Sequence, residues 1–248
     1  MIRDYGIELE QRVQFIRDQL KASGASGIIY GNSGGKDASL VGILCKHACE
    51  NTVGVVMPCG VRRNYEEDME DAKTVAEQFD IGVRIVDICD TATALVKTLE
   101  DAAELSAAAR TNIAVRLRMM TLYAIAASEG RLVAGTGNRS EIYMGYFTKW
   151  GDGAYDFNPI ADLTVTEVFE FLKYLGVPSR IYEKAPSAGL FDGQTDESEM
   201  GVSYKSIDAF LRDGVCSHED LEIITRYHRV NGHKLVPPPT FADWQNEK

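Results

Sequence analysis

The sequence predicts a parallel α/β sheet covered by helices on both faces. Three observations predict it. Short apolar runs alternate with stretches of helical period along the first 150 or so residues. The runs are short and mostly apolar, as strands covered on both faces are. Two of them lead straight into glycine-bearing turns, and ligands of such sheets bind at the carboxyl ends of strands.

The elements follow in order. Leu9, Val13, Ile16 and Leu20 recur at intervals of four, three and four, which predicts a helix ending before Ser23 and Gly24. The run over 27–30 predicts a strand that enters the segment GNSGGKD (31–37). Residues 38–49 read as a helix, and 52–57 as a buried strand stopped by Pro58. Met69, Ala72, Val75 and Phe79 make the next helical stripe, 83–88 the next strand, and Leu95, Val96 and Leu99 a further helix. A helix over 112–128 and a short strand over 132–134 feed the turn GTGN (135–138).

Beyond Thr148 the alternation fades. A loop rich in Gly and Asp spans 149–162, and Val168, Phe169, Leu172 and Leu175 mark a helix. The polar, acidic stretch 186–201 reads as a mobile surface loop, with the acidic run 192–199 as a solvated lid. Two short helices fill 203–230, and three prolines at 237–239 close the ordered chain. With no internal repeat and no linker, one domain over 1–248 is expected.

Composition narrows the function. The 248 residues carry a net charge of −11, which excludes a general nucleic-acid binder because that role needs a basic face. Anionic small molecules remain open, since local dipoles and metals overrule global charge. No apolar run approaches the roughly 20 residues of a membrane span. The start, MIRDYGIELEQR, has no signal-peptide core. Five cysteines without a CxxC pair suggest neither a disulfide framework nor a zinc ribbon. A cytoplasmic protein without membrane or nucleic-acid partners is expected.

The loop of Gly31, Asn32, Ser33, Gly34, Gly35, Lys36, Asp37, Ala38 and Ser39 follows a strand and opens a helix. Glycines let backbone N–H groups turn toward a phosphate, and the helix adds its positive end. A plain turn, with Asp37 and Ser39 satisfying the first helical N–H groups, is the competing reading. The Walker pattern fails, with three residues rather than four before Gly35-Lys36 and an Asp where a hydroxyl belongs. The GxGxxG dinucleotide fingerprint is absent as well. An aspartate inside a phosphate loop repels a bare triphosphate but becomes a ligand once Mg²⁺ bridges the two, so the loop predicts an Mg-nucleotide.

SGGKD (33–37) followed by Ser39 resembles the SGG-x-D-S pyrophosphate loop of the ATP pyrophosphatases. GTGNRSEIYMGYFTKWGDG (135–153) resembles the far more specific stretch of ammonia-dependent NAD synthetases. DFNPI (156–160), KAPS (184–187), QTDE (194–197), GVSY (201–204) and HK (233–234) continue that match in order, over roughly residues 5 to 240. The resemblance implies an adenine-nucleotide α-hydrolase-like, Rossmann-type fold with extra C-terminal helices. It implies that the carboxylate of deamido-NAD attacks ATP, pyrophosphate leaves, and ammonia then displaces AMP to give NAD.

Residue by residue, the resemblance implies Asp37 and Glu141 as Mg²⁺ ligands, a number of carboxylates that suits this ion. It implies ATP contacts from 31–39, Thr136, position 165 and Ser187, and deamido-NAD contacts from Arg116, Lys149, Asp156, His233 and Lys234. Taken alone, Glu141 reads as a solvated helix-start carboxylate, Arg116 as an exposed helix charge and His233 as a solvated terminal side chain. Asp152, in the GDG turn, is the candidate to receive ammonium and remove its proton, against the plain reading of a turn aspartate. The family's subunit interface implies a homodimer.

Three positions depart from the pattern. Val165 stands where many relatives carry a lysine that contacts ATP, Ala38 replaces the first serine of the loop, and Gly189 replaces a common Asp. Lys36 offers a nearby cation in place of the missing one. Cys45, His47 and Cys49 invite a zinc reading, but His47 points away from the two cysteines on a helix. A tRNA-modifying ligase and a nucleotide sensor without chemistry are the competing functions. The first lacks the basic surface or cysteine pair it needs, and the second does not need Asp37, Glu141 and Asp152 together. The match leaves no room for an appended glutamine-hydrolysing domain, so ammonia is expected free or from a partner.

Overall fold

The strands β1 (Gly27–Gly31), β2 (Thr52–Val56), β3 (Gly82–Ile85) and β4 (Arg131–Ala134) form one parallel sheet in the order β3–β2–β1–β4. The computed structural model describes residues 3–184 and 195–246. Ile28 pairs with Thr52 on one side and Leu132 on the other, so β1 is a central strand. The chain moves outward from β1 through β2 to β3 and then returns to β1's other edge as β4. That reversal lies between β1 and β4, and such switch points open a crevice at the carboxyl ends of their strands.

Thirteen α-helices are described: α1 (Tyr5–Ser23), α2 (Lys36–Ala48), α3 (Arg62–Tyr65), α4 (Glu67–Gln78), α5 (Cys89–Glu100), α6 (Ala107–Glu129), α7 (Arg139–Met144), α8 (Val165–Tyr174), α9 (Ser179–Tyr182), α10 (Asp196–Met200), α11 (Tyr204–Asp213), α12 (His218–Val230) and α13 (Phe241–Asn246). One core packs Ile16, Leu40, Ile43 and Leu44 with Val168, Phe171 and Leu172, joining α1, α2 and α8 to one face of the sheet. A second core, on Ile29, Val55 and Val133, gathers Ile113, Leu117 and Leu122 of α6. Both faces of the central strands are therefore covered, as their largely apolar sequences require. A third cluster, with Met144, Val165, Met200, Ile207 and Ile224, joins the C-terminal helices to α7 and α8. Tyr30 is fully buried, and its ring fits because Gly42 and Gly54 face it without side chains.

Local chemistry sets the ends. Asp4 caps α1 by accepting from Gly6 and Ile7, and Gly24 ends it in the left-handed conformation (φ 70°). Ser106 caps α6, and Gly130 closes it the same way.

The structure corrects three sequence readings. β3 is shorter than 83–88, although Val86 and Ile88 still donate backbone bonds to Val56 and Pro58. Residues 196–200 form α10, with Asp196 and Met200 buried and 197–199 exposed, so this part of the acidic run is an anchored helix with one solvated face and not a loop. Residues 186–194 of that expectation lie outside the described residues, as do Ser187 and Gly189. The three prolines do not close the chain, because α13 follows them. Among the described residues, no helix is long and apolar enough to cross a membrane.

Candidate active site

The crevice between β1 and β4 opens into a cavity of about 630 Å³. Gly31, Asn32, Ser33, Gly35, Lys36, Asp37 and Ala38 line it from the β1 side, and Thr136 and Glu141 line it beyond β4. Asn32 shapes the loop by accepting from the Gly34 N–H at 3.2 Å. Gly34 has φ 74°, and a Cβ there would run into the Asp68 carbonyl, so only glycine fits. Ser39 does not line the cavity and donates to Gly35 O at 2.8 Å, so it satisfies a carbonyl rather than the helical N–H of the plain-turn reading, and α2 has no side-chain cap.

Asn138 organises the two candidate metal ligands. Its Oδ1 accepts from the N–H groups of Ser140 and Glu141, each at 3.0 Å, which caps α7. Its backbone N–H donates to Glu141 Oε2 at 3.1 Å, completing a capping box. The remaining donor, Nδ2, reaches Asp37 Oδ1 at 3.1 Å. One fully buried residue thus holds an oxygen of each carboxylate, Asp37 through its side-chain amide and Glu141 through its backbone N–H. The other oxygens meet at the Lys36 ammonium, which lies 2.7 Å from Asp37 Oδ2 and 3.8 Å from Glu141 Oε1.

Burial, with Asp37 close by, pushes the Glu141 carboxyl up to about 8, despite the opposing Lys36 charge and Asn138 N–H. Burial disfavours the Lys36 ammonium, but Asp37 and Glu141 outweigh it and raise its pKa. A paired carboxylate site that already holds a stand-in cation fits Mg²⁺, which takes one or two protein carboxylates and completes its shell with phosphate and water. No group of three or more His, Cys, Asp or Glu side chains forms a metal site among the described residues.

Asp152 lines the same cavity. The Thr148 N–H donates to its Oδ1 at 2.8 Å. Its carboxylate meets solvent at the cavity but is crowded by protein, and this desolvation raises its pKa against the Thr148 bond and the charges of Lys234 and Arg118.

The candidate dinucleotide residues divide. Lys234 lines the cavity and donates to Gly145 O at 2.8 Å and Phe147 O at 3.0 Å, while burial lowers its pKa. Arg116 is exposed and donates to Lys149 O, and Lys149 Nζ donates to His233 O at 2.7 Å, so these three form one chain of contacts outside the cavity. Asp156 also lies outside, accepting from Tyr123 Oη at 3.1 Å and from the Val133 N–H at 2.7 Å. Val165 is buried beside Met144 and does not reach the cavity.

Sequence reasoning passed over several cavity residues. Arg118 lines the cavity, with Nε donating to Met57 O at 3.1 Å. Lys184 donates to Asp68 Oδ1 at 2.7 Å and Asp71 Oδ2 at 2.9 Å. The KAPS motif carries Lys184 and QTDE carries Asp196, so both lay in segments already singled out. Asn138 lay in the GTGN turn, where nothing marked it from its neighbours.

Comparison with known proteins places this geometry. The sequence profile described as NAD synthase matches residues 8–235. An NH3-dependent NAD+ synthetase from Carboxydothermus hydrogenoformans is 46% identical over 232 residues, covering 92% of this chain and 94% of its own. Its counterpart from Archaeoglobus fulgidus is 47% identical over 208 residues, covering 82% of each. The solved NMN synthetase from Francisella tularensis superposes with a TM-score of 0.90 at 37% identity, covering 96% of this chain and 99% of its own. An NH3-dependent NAD synthetase from Campylobacter jejuni superposes with a TM-score of 0.79 at 28% identity, covering 97% and 100%.

Proposed function

The chain belongs to the NAD synthase family, and from that premise we propose that its cavity activates a nicotinate carboxylate with ATP and amidates it with ammonia. It is a carbon–nitrogen ligase that converts deamido-NAD to NAD and releases AMP and pyrophosphate. The observation that carries the site assignment is the Asp37–Glu141 pair, held by Asn138 beside the glycine loop in one cavity with Asp152.

The chemistry needs activation because a carboxylate is a poor electrophile. Its oxygen bonds to the α-phosphorus of ATP as pyrophosphate leaves, which gives an acyl adenylate. The lone pair of ammonia then bonds to the carbonyl carbon, and AMP leaves. The N–H groups of the loop hold the departing pyrophosphate, with the Lys36 ammonium nearby. Asp37 and Glu141 would hold Mg²⁺, which supplies charge neutralisation at the phosphates. Thr136 and Ser187 complete the ATP contacts in this reading. Asp152 binds ammonium and takes its proton, since only the neutral amine has a lone pair; a carboxyl with a raised pKa suits proton acceptance. Arg116, Lys149, Asp156, His233 and Lys234 serve the dinucleotide. Four of these five lie outside the one-chain cavity, which supports a homodimer whose second subunit completes that wall. A single domain and a cytoplasmic home belong to the same reading.

One observation favours a second acceptor. The TM-score with the Francisella tularensis NMN synthetase exceeds that with the Campylobacter jejuni NAD synthetase, 0.90 against 0.79. On that reading the acceptor is nicotinate mononucleotide. The test offers the purified protein ATP, Mg²⁺ and ammonium with either acceptor, and measures AMP and the amide formed. NAD from deamido-NAD supports the first reading, and a strong preference for the mononucleotide replaces it with the second. AMP release with neither acceptor refutes both. Glutamine in place of ammonium identifies the nitrogen donor.

A further inference from the structure

The cation between Asp37 and Glu141 in this structure is the protein's own. Lys36 is the first residue of α2, and its side chain is 7% exposed. The ring of Tyr204 lies 5.7 Å from the ammonium, and the Tyr204 hydroxyl donates to buried Asp196 at 3.0 Å. Asp196 also contributes to the field that keeps Lys36 charged. An ammonium buried this deeply persists only with such partners. The two carboxylate oxygens it meets are those turned away from Asn138, so the ammonium occupies the side of the pair that a metal would need.

We infer that Lys36 is a tethered counter-ion that occupies the metal site of the nucleotide-free protein and yields it when Mg²⁺ arrives with ATP, its ammonium moving onto the phosphates. The exchange follows from charge pairing. Free Mg²⁺ alone would displace the ammonium and leave it buried without its carboxylates, an unfavourable exchange. A triphosphate brings new anionic partners for the displaced ammonium, so metal and nucleotide bind with positive coupling, each improving the affinity for the other. This inference rests on the magnesium assignment proposed above, and the test separates the two.

The test uses Mn²⁺ as the probe, with the full-length protein, alone and with a non-hydrolysable ATP analogue. Electron paramagnetic resonance reads the free metal. Lys36→Gln is expected to bind Mn²⁺ alone roughly tenfold tighter than wild type, yet to bind the Mn²⁺–analogue complex roughly tenfold more weakly. A merely structural role would weaken both. Lys36→Arg keeps the charge and should stay within about threefold of wild type for Mn²⁺ alone. Equal or weaker binding of Mn²⁺ alone by a folded Lys36→Gln protein overturns the inference. Glu141→Gln tests the site itself: if it binds Mn²⁺ with the analogue as well as wild type does, the magnesium assignment falls, and the inference with it. If Glu141→Gln loses that binding while Lys36→Gln matches wild type throughout, only the inference falls. Should Lys36→Gln not fold, the ammonium resonance of Lys36 in ¹⁵N-lysine-labelled wild type decides the matter. It should shift when Mg²⁺ and the analogue are added together, and an unmoved resonance overturns the inference.

Discussion

Replacing Asn138 with alanine removes three hydrogen bonds from one fully buried side chain: two that cap α7 and one to Asp37. Loss of the cap costs about 1 kcal/mol. A hydrogen bond to a charged acceptor is worth about 1.5–3 kcal/mol, but Asp37 keeps its contact with Lys36 at 2.7 Å, so only part of that is lost. The expected loss is about 2–3 kcal/mol, or about 4–12 °C in Tm for a chain of this size. Serine restores the cap but not the Asp37 contact, so it should lose about 1–2 kcal/mol. Aspartate keeps the cap and places a carboxylate against Asp37, so its loss should shrink as pH falls. Urea unfolding in EDTA measures all three. Equal midpoints for the alanine and serine variants would refute the cap contribution. An alanine variant within about 0.5 kcal/mol of wild type would refute the whole account. The alanine variant should also bind divalent metal more weakly with ATP analogue, because Asp37 Oδ1 then loses the side-chain amide that orients it.

Three further outcomes follow from the same geometry. Folding raises the Glu141 pKa from 4.5 to about 8, so the metal-free folded protein keeps a proton that the unfolded chain releases. Its stability should therefore fall by up to about 1.4 kcal/mol per pH unit between those values. Saturating Mg²⁺ with nucleotide should flatten that slope in thermal melts, and Glu141→Gln should abolish it; a metal-free slope of zero counts against the burial argument. Asp152→Asn should still release pyrophosphate from ATP and acceptor but form no amide, and unchanged amide formation would remove Asp152 from the chemistry. Gly34→Ala should lose nucleotide binding and at least about 1–2 kcal/mol of stability from its left-handed backbone alone; wild-type melting would show that the Asp68 carbonyl can move aside.

The order of strands and helices was legible because burial on both faces writes itself into short, mostly apolar runs. The glycine loop was legible because its backbone conformation restricts residue type at Gly34. Side-chain direction was less so. Arg116 and Arg118 sit two apart on α6 and so point about 200° apart around it; only one can face the cavity. The sequence offers no choice between them without the packing of α6 on β1 and β4, which turns Arg118 inward and leaves Arg116 exposed. Position 165 shows the same limit. Its place in a capped helix start is readable, but its burial beside Met144 depends on α11 and α12. The acidic run misled because Asp196 is buried against Tyr204, eight residues on and in the next helix, a contact that charge composition does not announce.

The charge of the cavity decides how anions enter it. Among the described residues, Asp37, Asp68, Glu141, Asp152, Asp196 and Glu199 line it against only Lys36, Arg118, Lys184 and Lys234. Each cation is already engaged: Lys36 with Asp37, Lys184 with Asp68 and Asp71, Arg118 with the Met57 carbonyl, and Lys234 with the carbonyls of Gly145 and Phe147. In a chain of net charge −11, long-range attraction cannot draw a bare triphosphate into such a wall. Binding must proceed by exchange of partners at short range, with the divalent ion supplying the charge that the wall lacks. Exchange at contact distance is screened far less by salt than steering is. ATP affinity at saturating Mg²⁺ should therefore change little between low and moderate ionic strength, whereas a steep fall with salt would point to steering by a positive surface.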